Sequence, residues 1–421
     1  MTSASFAAAT ITPPAGTDLC GFARRVGPAT GAHDDLQTQW LALDQERQLL
    51  LLSSNDVLSF SRNFYAGICK DVAAAAGKPI AATSVATTHT HSGPATVTLR
   101  FCGRLDPNYM AQMKEAIVKT GAKAARARKV PVKLKVGRGK SMVAQNRRHP
   151  HTGPLDTEVL TLQLIDSQSE QPVATVINYA CHPVVMGHEN NLVSGDYPAY
   201  LKKAVAAKTG APCMYLNGAC GDINPTCPEG KTISAAQKMG TTLAADALRA
   251  MDKATLLDEN LTFQTQRISV PIQVHQPKNT REIDDRVNEM AASFPAAADL
   301  FGPRIARLKQ MVTDKSFPRT IDINVDLWSF AEDFAIVFVP GELFSAIGLE
   351  IKRISPYNFT MISGYSNGTV GYLPTRQAYS EGGYEPHFAH FFYNYPEFES
   401  NLEDTIISRI DLLFRRSIRS K

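Results

Sequence analysis

Short apolar runs of strand length alternate along the chain with longer segments in which apolar residues recur at helical spacing. Residues 36–43 and 49–53 predict a hairpin across Asp44-Gln45-Glu46-Arg47. Helical periodicity follows over 59–76, with Ser59 or Ser61 available as the cap, and again over 109–129. Strands are predicted near 132–136, 158–165 and 173–179, then helices over 197–208 and 234–251. Long alternating strands at 261–274 and 321–329 flank a polar helical insert at 281–311, and a helix over 402–416 closes the chain. This mixture of hairpins and crossovers predicts an α/β fold, mixed β-sheets covered by helices, and not one purely parallel sheet. A single domain is expected over 1–421, with lobes at 1–258 and 259–421.

Four apolar runs end in a polar residue close to Gly or Pro. Residues 81–88 lead into His89-Thr90-His91-Ser92-Gly93-Pro94, and 173–179 lead into Ala180-Cys181-His182-Pro183. Residues 334–339 lead into Pro340-Gly341-Glu342, and 359–363 into a loop containing Tyr372. Strand ends fix the backbone while the following loop leaves the side chain open, which suits ligands mounted on a scaffold. If strand geometry persists through His89 and His91, both imidazoles point to one face and address one ion or one water. An H-x-H pair alone is more often a surface or hydrogen-bonding pair; the other three strand ends give it weight. A His, His, Glu set suits zinc and leaves a position for water, as hydrolytic zinc sites do.

In this order the segments resemble the catalytic domain of the neutral (non-lysosomal) ceramidase family. The matching stretches are Thr88 to Pro94, Asn146-Arg147, Asn178 to Met186, Leu192 to Leu201, Cys220 to Pro225, Val339 to Glu342, Ser366 to Thr375 and Tyr384-Glu385. The resemblance implies a zinc held by His89, His182, Glu342 and Tyr372, a water contacted by His91 and Arg147, and an oxyanion stabilised by Tyr384. Family enzymes acting on ceramide are generally longer, with an export signal and a terminal β-sandwich. Neither is expected here: residues 1–16 lack the basic and continuous apolar regions of such a signal, so the expected location is cytoplasmic. Beside Cys220 to Pro225, where ceramidases tend to carry Ser or Gln, then Ser and Asn, this chain has Asn217-Gly218-Ala219. An altered pocket wall is therefore expected, and a substrate other than ceramide.

Composition narrows the class. A chain of 421 residues, 44% hydrophobic, buries a large core, and a formal charge of +4 argues neither for a nucleic-acid partner, and none is expected, nor for strong membrane adhesion. No apolar run approaches the roughly 20 residues that cross a bilayer. Seven cysteines without C-x-x-C read as reduced core residues, and Cys220 and Cys227 as parts of a loop. Cys181 is expected to point away from His182, as neighbours on a strand do. Gly364-Tyr365-Ser366-Asn367-Gly368 matches the G-x-S-x-G nucleophile elbow, but no helical pattern follows, which disfavours a serine hydrolase. The basic residues between Lys119 and Lys140 read as a solvated helix end and a lysine-guarded edge strand. Asp196 and Asp222 read as caps, with Asp222 also a candidate partner of a ligand histidine. His188, His275, His387 and His390 read as structural or surface residues, the last two near a substrate mouth.

The expected function is a zinc-dependent hydrolase that cleaves an amide in a small N-acylated substrate. Two other readings stay open: the same metal used on another ester, amide or sugar-linked substrate, including lyase chemistry, and a non-catalytic homologue that binds a metal or ligand.

Overall fold

The computed structural model describes residues 2–45, 48–258, 262–393 and 395–419. The tip of the first predicted hairpin, Glu46-Arg47, and Leu261 lie outside them. Eight strands form most of the larger sheet: β1 Ser3–Thr10, β2 Gln37–Gln45, β3 Gln48–Asn55, β4 Ala82–Thr87, β5 Val130–Lys140, β6 Glu158–Asp166, β7 Pro172–Tyr179 and β8 Cys213–Asn217. They run in the order β8-β7-β6-β5-β1-β2-β3-β4, with Thr255–Leu256 also paired to β5. The middle is antiparallel, whereas β3/β4 and β7/β8 at the two edges are parallel. Parallel neighbours need a crossover. Helix α1 Arg62–Ala76 joins β3 to β4, and α3 Tyr197–Thr209 joins β7 to β8; α2 Pro107–Arg126 and α4 Ile233–Met251 complete that helical layer. Ser61, not Ser59, caps α1 by accepting from the Phe64 amide. Helix α2 starts earlier than its apolar pattern because Asp106 caps it and Pro107 occupies its first turn.

A second sheet holds β9 Phe263–Gln273, β10 Thr320–Phe330, β11 Phe334–Phe338 and, after the short strand β12 Glu342–Leu343, β13 Phe359–Ser363. The insert between β9 and β10 forms α5 Thr280–Ser293 and α6 Gly302–Thr313, among other short turns. Strands β11 and β13 are parallel and are joined by α7 Ser345–Ile354; α8 Leu402–Arg419 packs beside α7. Alternation sorts the side chains into layers. Leu162, Leu164, Leu134 and Val136 from the larger sheet meet Trp328, Phe330, Phe334 and Phe338 from the smaller one in a shared core. Val325, Leu327, Ala335 and Val337 point the other way, toward Ile347, Ile351, Ile406 and Ile410 of α7 and α8. Both sheets are thus covered on two faces, which explains the near-continuous apolar runs of their central strands.

One expectation fails. Strand β5 is interior, paired with β6 along its length and with β1 at its start, so Lys133 and Lys135 guard no edge. Alternating polarity reports a strand's faces and not its hydrogen-bonding neighbours. Among the described residues no helix is long and apolar enough to cross a membrane.

Candidate metal-binding site

The three crossover units β3-α1-β4, β7-α3-β8 and β11-α7-β13 direct their strand ends to one place. Beyond β3 comes the Leu58 carbonyl; beyond β4, His89 and His91; beyond β7, His182; beyond β8, the Ile223 carbonyl; beyond β11, Glu342; beyond β13, Tyr365. Ligand sites form where strand order opens a crevice at the carboxyl ends of parallel strands. Cross-loop bonds lace the ends together: His91 N to Pro183 O at 3.2 Å, Tyr365 N to Gly341 O at 3.1 Å, and Glu342 N to Gly371 O at 2.9 Å. The last belongs to the pairing of β12 with β14, Tyr372–Leu373, which sets Glu342 opposite Tyr372.

His89 and His91 do converge, their Nε2 atoms 3.3 Å apart, but not by strand alternation. Strand β4 ends at Thr87, and His89 turns the chain with φ +68°, in the left-handed region that histidine enters more readily than most residues. Tyr365, also left-handed at φ +53°, lays its ring 4.0 Å from that of His89.

The ring nitrogens decide what the cluster can hold. His89 Nδ1 lies 2.8 Å from the Leu58 carbonyl and His182 Nδ1 3.1 Å from the Ile223 carbonyl. A carbonyl only accepts, so both Nδ1 atoms carry a proton and each ring turns its Nε2 inward. Glu342 Oε2 stands 3.4 Å from His89 Nε2 and 3.1 Å from His182 Nε2. Three imidazole Nε2 atoms and a carboxylate thus converge in a buried pocket. Burial, the largest influence, pushes His182 down to about 4 and His91 well below the usual imidazole range. Burial would raise the Glu342 carboxyl, but the adjoining imidazoles outweigh it and hold the group well below the carboxylate range. Such a set is stabilised by a cation at its centre, and His89, His91 and His182 lie close enough to share one. These donors fit zinc: imidazoles and a carboxylate, each of the two most buried rings oriented by a backbone carbonyl.

Around this centre, Arg147 Nε donates to Glu385 Oε1 at 2.8 Å, and Arg148 Nη1 to Glu385 Oε2 at 2.8 Å. The Arg147 guanidinium lies 5.4 Å from the Tyr372 ring centre, and its Nη2 has no hydrogen-bond partner. Tyr384 opens the π-helical turn Tyr384–Phe388; its ring is 5.7 Å from that of Tyr372, and it is 43% exposed. All seven residues named from the sequence therefore gather in one region. Tyr393, Glu385 and Tyr365 join them without having been assigned a role from the sequence: the Tyr393 hydroxyl donates to Glu342 Oε1. Gly21 completes the cover over His91. A Cβ there would sit 2.4 Å from His91 Nδ1, and φ is +108°, so only glycine fits.

Several expectations are corrected. Asp222 touches no ligand histidine; it accepts from Ser345 N at the start of α7 and from Asn146 Nδ2, both at 2.8 Å, while its carbonyl accepts from Arg147 N. The histidines use backbone carbonyls instead. Asn217 and Gly218 are not a pocket wall. Asn217 is fully buried, bonding the Thr88 carbonyl and the Cys181 amide, and a Cβ on Gly218 would lie 2.9 Å from Ala180 Cβ. They tie the two histidine loops together. His387 and His390 face Glu397, and His275 bridges Glu282 and Glu399. Asp196 does cap α3. Cys181 packs into the core beside Tyr197, and all seven cysteines are free. Ser366 is fully buried, bonded to Ser363, with no helix after it.

No protein-family model and no curated protein matches the chain. Among solved structures it is similar to the neutral ceramidase from Pseudomonas aeruginosa, with a TM-score of 0.75 and 14% identity over 99% of this chain and 75% of that one. It is likewise similar to a ceramidase complexed with C2, with a TM-score of 0.77 and 14% identity over 100% of this chain and 75% of that one. Over nearly its whole length, then, the chain has the neutral-ceramidase fold.

Proposed function

We propose that the protein is a zinc-dependent hydrolase that cleaves the amide of a small N-acylated substrate. The inward-facing Nε2 atoms of His89 and His182 against Glu342 Oε2, with both Nδ1 atoms spent on carbonyls, carry the reading. His89, His182 and Glu342 hold the ion, with Tyr372, opposite Glu342, as the fourth ligand. Zinc bound there would supply a water with its pKa lowered toward about 7 and a Lewis acid for the carbonyl oxygen.

The remaining residues handle protons and charge. His91, kept neutral by burial, accepts a proton at Nε2 as the C–O bond forms and returns it to the amine nitrogen as the C–N bond breaks. Arg147 is fixed by Glu385 and offers its unpartnered Nη2 to the substrate or the attacking water. Tyr384, at the solvent-facing rim, donates to the developing oxyanion. Tyr372 meets opposing demands: burial and the Glu342 charge raise its hydroxyl above the usual phenol range, so it ionises only against a bound cation.

Elemental analysis and hydrolysis of N-acyl amides test the reading together. Zinc is expected in the purified protein, with activity abolished by a chelator and restored by zinc. His182→Ala should lose the metal. Full zinc occupancy in that variant, or an acyl adduct on Ser366 by mass spectrometry, overturns the proposal.

A further inference from the structure

The loop that covers His91 carries a partly buried cation without an acidic partner. The Arg25 guanidinium lies 5.1 Å from the Phe22 ring centre, and that ring is 4.9 Å from the His91 ring. Arg25 Nε, Nη1 and Nη2 donate one bond each, to the carbonyls of Asn190, Cys20 and Gly187. One N–H therefore remains on each of the two terminal nitrogens. Among the described residues no carboxylate pairs with Arg25, whereas Arg147 and Arg148 both pair with Glu385. Burial pushes the guanidinium down to about 10, which still leaves it charged at neutral pH. A desolvated cation held by carbonyl dipoles and one aromatic face, without a countercharge, is costly, and an anion arriving from solvent would offset that cost.

We propose that Arg25 is a specificity-determining residue that binds a carboxylate on the amine side of the substrate, so that the enzyme acts on N-acyl amino acids in preference to neutral N-acyl amines. This rests on the amide-hydrolase reading above. The two remaining N–H groups of a planar guanidinium match the two oxygens of a carboxylate. In an N-acyl amino acid the carboxylate is one carbon from the scissile nitrogen, and the Phe22 ring, which touches both the His91 ring and the Arg25 guanidinium, makes Arg25 the cation on that side of His91. Hydrolysis adds water across the amide and releases a carboxylic acid and a free amino acid.

The experiment compares N-octanoylglycine with N-octanoylglycine methylamide, which keeps the acyl chain and the scissile bond but lacks the charge. Wild type should favour the carboxylate by about 10- to 100-fold in kcat/KM, the range expected when a hydrogen bond to a charged group is lost. Arg25→Gln should bring that ratio toward one, and Arg25→Lys should keep part of it. An equal loss on both substrates shows a clasp between loops and overturns the proposal, as does wild-type preference for the neutral amide. Calorimetric binding of N-octylglycine, which has no scissile carbonyl, separates the two readings. If neither amide is cleaved, the hydrolase reading fails, yet Arg25-dependent binding still supports a carboxylate site and Arg25-independent binding removes it.

Discussion

Tyr393 donates its hydroxyl to Oε1 of Glu342, while Oε2 of the same carboxylate faces His182 Nε2 at 3.1 Å. One oxygen is thereby occupied and the other aimed. Both groups are buried, so the bond between them helps hold the carboxylate in one orientation. In metal sites, removing a partner that orients a ligand typically weakens affinity about 10- to 100-fold. Tyr393→Phe should therefore lose zinc to a competing chelator at correspondingly lower concentrations while keeping the wild-type fold by circular dichroism. Unchanged zinc affinity would show that Glu342 is fixed by the β12/β14 pairing alone.

His91 and Tyr384 are separable from metal retention. His91 lies in the cluster, yet its Nδ1 has no hydrogen-bond partner, unlike the carbonyl-anchored His89 and His182. It is the imidazole least committed to one orientation and best able to carry a proton. His91→Ala and Tyr384→Phe should keep zinc and lose turnover by about 10² or more, as expected for removing a general base or an oxyanion donor. Zinc content and kcat measured on the same preparations decide it. Loss of zinc from His91→Ala would make His91 a ligand instead.

The positions of His89, His182 and Glu342 were legible because each follows an apolar strand and lies close to Gly or Pro, a pattern set by local chain geometry. Their meeting was not legible. It depends on three parallel crossovers, and strand pairing over long separations leaves no mark on alternation, which is also why β5 was mistaken for an edge. The convergence of His89 and His91 was expected for the wrong reason, since it comes from the left-handed turn at His89. Tyr393 had no signal beyond membership of an aromatic-rich segment. Gly21 had none, because its necessity arises only from the imidazole placed against it.

Gly218 shows how a departure from a family pattern can be read wrongly. Its backbone passes Ala180 so closely that a Cβ would lie 2.9 Å from the Ala180 Cβ and 3.0 Å from its Cα. Overfilling such a site typically costs about 1–3 kcal/mol. Gly218→Ser should lower the melting temperature and, by pushing the His182 loop, weaken zinc binding. Differential scanning calorimetry on the zinc-loaded protein tests this. A normal melting temperature combined with a changed substrate profile would return Gly218 to the pocket wall.

Asp196 should make stability fall as pH rises through the weakly acidic range. It is fully buried at the start of α3, where it accepts from the Tyr197 and Met186 amides. Burial outweighs those bonds and pushes its carboxyl from 3.8 up to about 6. Between these values the folded protein keeps the proton that the unfolded chain has released. The unfolded state then binds fewer protons, so unfolding free energy declines as pH rises from about 4 to about 6 and levels off above, by at most about 3 kcal/mol. Asp196→Asn cannot ionise, and its amide oxygen still caps the helix. Relative to wild type, this variant should therefore gain stability between pH of about 4 and about 6, measured by urea denaturation at several pH values. Parallel profiles for the two proteins would mean that Asp196 ionises as readily when folded as when unfolded, its amide bonds fully compensating its burial.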